Sequence, residues 1–121
     1  MSGPVPSLAG RVLRLVEDEY LIAAELTRAL QGQGATVLGP TRGVSRALEL
    51  LARTPRLDGA LLDVQLRDES VFPVAEALRA RGVPFVFVSG FDSEAIPEAY
   101  REVPLCTKPL DLATAAALLA R

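Results

Sequence analysis

The sequence contains no histidine and a single cysteine, Cys106. The first absence removes a Ser-His-Asp triad and a phospho-histidine carrier. Together they argue against a zinc site built from nitrogen and sulfur ligands. One cysteine forms no internal disulfide. No apolar stretch approaches the ~20 residues of a membrane helix. The first ten residues, "MSGPVPSLAG", lack the charged and apolar regions of a signal peptide. With a lone thiol and no export signal, a cytoplasmic location is expected. No run of Lys or Arg exceeds two residues, and the net charge is -2 from 13 basic and 15 acidic residues. That leaves no electrostatic footprint for nucleic acid. Any chemistry must use carboxylates, hydroxyls, lysine and borrowed cofactors.

What remains is a chain of 121 residues, half of them hydrophobic, which is enough for one domain with one core. Residues 1–10 read as a flexible arm and 11–121 as a single domain. Five apolar runs read as buried strands: "VLRLV" (12–16), "ATVLG" (35–39), "LDGALL" (57–62), "FVFV" (85–88) and "PLCT" (104–107). They are continuous rather than alternating, as in a parallel sheet covered on both faces. Helical spacing lies between them. Ile22, Leu26, Ala29 and Leu30 share a face, as do Val44, Ala47, Leu48 and Leu51, then Val71, Val74, Ala75 and Leu78. Leu112, Ala115, Ala116 and Leu119 predict a closing helix. Gly32 and Gly34 stop the first helix and Gly82 the third. Pro97 interrupts "DSEAIPEAYRE", so the fourth helix is expected to be short or broken. Strand and helix alternate five times, which predicts an α/β sandwich. Arg14, in the middle of the first strand, fits this pattern badly.

Open α/β sheets bind ligands beyond the carboxyl ends of their strands. Four of the five runs end in a reactive polar group. Glu17 and Asp18 follow the first, Asp63 the third, Ser89-Gly90 the fourth and Lys108-Pro109 the fifth. The second ends in a plain turn, "GPTRG". Singly, each residue fits a bland role as a helix cap, a loop hydroxyl or a solvated charge. Four converging on one edge do not. Two like charges ~4 Å apart repel by roughly 4 kcal/mol at an effective dielectric of about 20. Lys108 offsets one of three carboxylates, and a raised pKa or a bound cation must meet the rest. Oxygen ligands without His or Cys suit a hard ion such as Mg²⁺. With a lysine, a hydroxyl and a backbone N–H after a glycine, the set reads as a phosphoryl-acceptor site. Asp63 is then the nucleophile.

In this order and at these intervals, "VEDE", "LLDVQL" and "KPLD" resemble a response regulator receiver domain of two-component signalling. The resemblance runs from about Arg11 to Leu119. It implies a flavodoxin-like three-layer sandwich with a five-stranded parallel sheet of order 2-1-3-4-5. It also implies Mg²⁺, or Mn²⁺, held by Asp18, Asp63 and the backbone carbonyl of Gln65, with Glu17 acting through water. Ser89 takes the Ser/Thr switch position, Gly90 follows it, and Lys108 contacts the phosphoryl group. The family usually makes the bond to the following proline, here Pro109, cis. The segment "PFVFVSGF" resembles the stand-alone FATGUY-type subclass, named for Pro-Phe-x-Phe-Ala-Thr-Gly-Tyr, with Val88, Ser89 and Phe91 in place of Ala, Thr and Tyr. The usual aromatic of the fifth strand is here Leu105, which leaves Phe91 as the candidate switch aromatic. The loop "QLRDES" lacks the Pro and Gly common after the acceptor strand.

The implied function is a phosphorylation-controlled signalling switch, not an enzyme with turnover. A partner histidine kinase or histidine phosphotransfer protein supplies the phosphoryl group. A downstream protein reads the face of the fourth helix, fifth strand and fifth helix. No membrane or nucleic-acid partner is expected. The Met1 start and the subclass resemblance favour a stand-alone receiver over an excised fragment. Two rivals remain. A degenerate receiver would bind partners without taking phosphate. A haloacid dehalogenase-like phosphatase would need a second acid where Asp63-Val64-Gln65 has none.

Overall fold

The computed structural model describes residues 8–64, 66, 69–89, 96–107 and 119. Five strands form one parallel sheet: β1 (Val12–Val16), β2 (Thr36–Thr41), β3 (Gly59–Asp63), β4 (Phe85–Ser89) and β5 (Leu105–Thr107). Their order is β2-β1-β3-β4-β5, as expected for a flavodoxin-like sandwich. The helices are α1 (Tyr20–Gly32), α2 (Val44–Ala52) and α3 (Phe72–Ala80).

Side-chain alternation along each strand divides the core into two layers. Leu13 and Leu15 of β1, Leu61 of β3, Val86 and Val88 of β4 and Cys106 of β5 face one way. They pack with Ala23, Leu26 and Leu30 of α1 and with Leu119. Val16, Ala60, Leu62 and Phe87 face the other way, onto Ala47 and Leu51 of α2 and Val74, Ala75 and Leu78 of α3. Continuous apolar runs were needed because both faces are covered. Of the described residues assigned to helix faces, Ile22, Ala29, Val44 and Leu48 are partly buried rather than buried. The glycines expected to stop the first and third helices stand at their ends, Gly34 and Gly82 with positive φ.

Between Ile96 and β5 lies a 3-10 turn, Glu98–Tyr100; the first part of the segment expected to form the fourth helix lies outside the described residues. Pro97 precedes it, as the sequence suggested. The closing helix expected over 112–119 lies outside the described residues apart from Leu119, which is buried. Leu8, assigned to the arm, is fully buried, and its N–H donates to the Gln33 carbonyl. The folded body therefore takes in Leu8 to Gly10 ahead of β1. None of the described helices is long and apolar enough to cross a membrane.

Two local features differ from expectation. The second strand does not stop in a plain turn. It runs through Gly39 and Pro40, joined by a cis peptide, to a buried Thr41 that pairs with Val16. An edge strand tolerates proline because no second neighbour needs its N–H. Gly39 has φ +111, and a Cβ there would lie 2.7 Å from the Leu15 carbonyl oxygen. Arg14 is the second. It is buried and aims its guanidinium at the end of α2, donating from Nη2 to Thr54 Oγ1 at 3.1 Å. Burial lowers its pKa. The carboxyl end of α2 favours a cation there, and Arg81 joins it with hydrogen bonds to the Leu51, Thr54 and Pro55 carbonyls.

Candidate metal and phosphoryl-acceptor site

Parallel register brings the ends of β1, β3 and β4 level. Val16 pairs with Leu62, and Asp63 pairs with Val88. The residue after Val16, Glu17, therefore emerges beside Asp63. Asp18 follows Glu17 before α1 begins at Tyr20. One carboxylate oxygen from each of Glu17, Asp18 and Asp63 lies within 4.8 Å of the others. Glu17 and Asp63 are 1% and 2% exposed, and Asp18 is half-buried.

The backbone holds these acids in place. The Glu17 N–H donates to the Thr41 carbonyl at 3.0 Å, and Glu17 Oε2 accepts from the Glu19 N–H at 3.1 Å. Beyond β3 the chain keeps its course because the Val64 N–H donates to the Val88 carbonyl at 3.0 Å. Ser89, at the end of β4, is 2% exposed and pairs with Thr107 of β5. It stands one residue past the partner of Asp63.

Three carboxylates this close, two of them out of water, repel by several kcal/mol unless a cation or protons intervene. The amino end of α1 begins two residues after Asp18, and the Glu19 N–H at its start donates to Glu17, which supplies part of the positive potential. All three donors are hard oxygens at one mouth of the sheet, the donor set that suits Mg²⁺ or Mn²⁺. On that chemistry the residues fit a divalent cation.

The structure thus brings together Glu17, Asp18 and Asp63, with Ser89 on the adjoining strand end. Gln65, Gly90, Phe91, Lys108 and Pro109 lie outside the described residues. Sequence reading missed Thr41, whose carbonyl braces Glu17. It also missed Glu69, whose carboxylate accepts the Val44 N–H at 2.6 Å from another loop. The signal for Glu69 was weak: Gly43, which precedes α2, offers no side chain to cap that helix.

No protein-family model matches the chain. Among solved structures it resembles SdrG. The BeF3-activated conformation of SdrG from Pseudomonas melonis Fr1 is 37% identical with a TM-score of 0.79. The SdrG structure from Sphingomonas melonis Fr1 is 38% identical with a TM-score of 0.78. Each match covers 93% of this chain and 98% of SdrG. A CheY-like response regulator receiver domain from Methylobacillus flagellatus is 25% identical, with a TM-score of 0.73 over 85% of this chain and 90% of its own. The Phyllosphere-induced regulator PhyR of Methylorubrum extorquens is 28% identical over 110 residues, 88% of this chain. The chain spans 41% of the length of that curated relative.

Proposed function

This chain belongs to the response regulator receiver family, and on that premise we propose that it is a signalling switch that takes a phosphoryl group on Asp63. The single observation that carries the reading is the meeting of Glu17, Asp18 and Asp63 within 4.8 Å. Glu17, Asp18, Asp63 and the Gln65 backbone carbonyl would hold Mg²⁺ or Mn²⁺. Such an ion neutralises charge on the transferring oxygens and on the cluster itself.

The donor is external, because the chain has no histidine. A sensor histidine kinase or a histidine phosphotransfer protein presents the phosphorylated imidazole. An Asp63 carboxylate oxygen attacks phosphorus in line. The phosphorus–nitrogen bond breaks, and its electron pair returns to the imidazole. Ser89, the N–H after it at Gly90, and Lys108 meet the equatorial oxygens. Phosphorylation replaces the single carboxylate charge at the end of β3 with a phosphoryl group carrying up to about two negative charges. Drawing Ser89 inward shifts the end of β4, and through Phe91 and the Lys108-Pro109 turn it biases the protein-binding face beside β5 between two arrangements.

The test is intact mass after incubation with a small phosphodonor, with and without Mg²⁺, on wild type and Asp63→Asn. One Mg²⁺-dependent phosphoryl adduct on wild type and none on the variant is expected. No adduct on wild type with Mg²⁺ bound would point instead to a module that binds partners without taking phosphate.

A further inference from the structure

The loop "QLRDES" departs from the family pattern, and Glu69 within it makes a contact of an unusual kind. Its Oε2 accepts a hydrogen bond from the Val44 N–H at 2.6 Å, across 25 residues of sequence. Val44 opens α2. The preceding residue, Gly43, has extended backbone and no side chain, and α2 carries no acid in its first turn. Helix starts usually receive their cap from the residue beside them. Here the cap comes from the loop that leaves the acceptor strand. A Cβ on Gly43 would stand 3.5 and 3.8 Å from the two Glu69 oxygens, so the carboxylate fills the space a local cap would use.

The other ties of that loop point inward. Val64, Leu66 and Val71 are buried in the layer shared with α2 and α3. Ser70 Oγ accepts the Phe72 N–H at 3.3 Å at the start of α3. Glu69 is the loop's polar tie to α2 among the described residues. Between it and Asp63 the described residues are Val64 and Leu66, both buried. A cation or phosphoryl site loses its function when its supports are about 1 Å too loose.

We propose that Glu69 is a positioning residue for the acceptor site. By fastening the loop to the first N–H of α2, it holds Asp63, at the end of β3, at the spacing from Glu17 and Asp18 that the cation needs. This rests on the phosphoryl-acceptor reading above. Glu69 does not itself touch the cation or the phosphoryl group.

The experiment compares wild type, Glu69→Ala and the double variant Glu69→Ala/Gly43→Ser, in which serine caps α2 locally. Three quantities are read: Tm without Mg²⁺, the Mg²⁺ dissociation constant, and the rate of phosphoryl uptake from a small donor at saturating Mg²⁺. Glu69→Ala is expected to lower Tm by about 3–5 °C. It should weaken Mg²⁺ binding roughly three- to tenfold, below the effect typical of a group bonded directly to a metal ligand. The double variant is expected to regain the Tm and keep the weakened Mg²⁺ binding and slowed uptake. If it regains Mg²⁺ affinity as well, Glu69 merely caps a helix and the proposal fails. Unchanged Mg²⁺ affinity in Glu69→Ala also overturns it. Wild type that binds Mg²⁺ and takes no phosphoryl group would overturn the acceptor reading, while the Mg²⁺ titrations still decide Glu69. Wild type that binds no Mg²⁺ overturns both.

Discussion

The Tyr100 hydroxyl donates a 2.7 Å hydrogen bond to Glu76 Oε2, joining the 3-10 turn before β5 to helix α3. The Tyr100 ring stacks on Phe72 at 5.4 Å and meets Phe87 edge-on at 6.0 Å, while the Arg79 guanidinium lies 4.5 Å over it. Burial raises the Tyr100 pKa from its ordinary 10.0, and the Glu76 hydrogen bond and charge push it further up. The nearby Arg79 charge opposes the shift and the Glu102 charge adds to it. A phenol whose folded pKa is raised stabilises the fold fully below its unfolded value. That stability is lost as pH climbs through the folded value. Tyr100→Phe should therefore lose about 1 kcal/mol at neutral pH. The gap to wild type should close, in melts taken above pH ~10. Parallel stability profiles for the two proteins across that range would refute this assignment.

A cation held by the cluster at the strand ends, as proposed, would make stability depend on Mg²⁺. Wild type should gain about 2.7 kcal/mol when Mg²⁺ reaches 100 times its dissociation constant. Asp63→Asn removes one of three crowded charges. It should be more stable than wild type in chelator, by about 1–2 kcal/mol, and should lose most of the Mg²⁺ response. Thermal melts in chelator and in saturating Mg²⁺ check both halves. An equal Mg²⁺ response in the two proteins would place the cation elsewhere.

Much of this architecture was legible in the sequence because the apolar runs are long enough to fix strand positions and the residues after them fix the site. Val16 and Leu62 end their runs together, so Glu17 and Asp63 had to meet once β1 and β3 paired. Pro97 signalled an interruption, and a 3-10 turn follows it among the described residues. What was hidden depends on tertiary context. The extension of β2 to Thr41 is permitted because β2 lies at the sheet edge, which no local pattern reveals. Arg14 finds its partner at Thr54, and Glu69 finds Val44, through contacts between segments far apart in sequence. Leu8 looked like part of a Gly/Pro/Ser arm because a single apolar residue carries no periodicity.

Arg14 is the one buried cation among the described residues of the core. Its Nε has no hydrogen-bond partner among those residues. Thr54 Oγ1 has a second role, donating to the Leu50 carbonyl at 2.7 Å, so it stays satisfied without Arg14. Replacing a buried, incompletely bonded charge with an apolar side chain of similar length is commonly neutral or stabilising by about 1–4 kcal/mol. Arg14→Met should accordingly keep or raise the urea midpoint. A loss of about 2 kcal/mol or more would show that the guanidinium stabilises the fold.

Gly39 supports the site from the edge of the sheet. Its φ of +111 is unfavourable for other residues, and a Cβ would lie 2.7 Å from the Leu15 carbonyl oxygen and 2.9 Å from the Thr41 nitrogen. Gly39→Ala should cost about 2–3 kcal/mol. Because the Thr41 carbonyl receives the Glu17 N–H, the same variant should weaken Mg²⁺ binding. Urea unfolding together with an Mg²⁺ titration tests this. A stability loss with unchanged Mg²⁺ affinity would uncouple the β2 edge from the acids.

The central claim is that Asp63 is the phosphoryl acceptor. The most direct measurement is to treat wild type with a small phosphodonor and Mg²⁺, reduce the acyl phosphate with borohydride, and locate the reduced residue by peptide mass. Reduction at Asp63, dependent on both donor and Mg²⁺, is the predicted result. Reduction at any other carboxylate, or none at all while the Mg²⁺ titration shows binding, would contradict it.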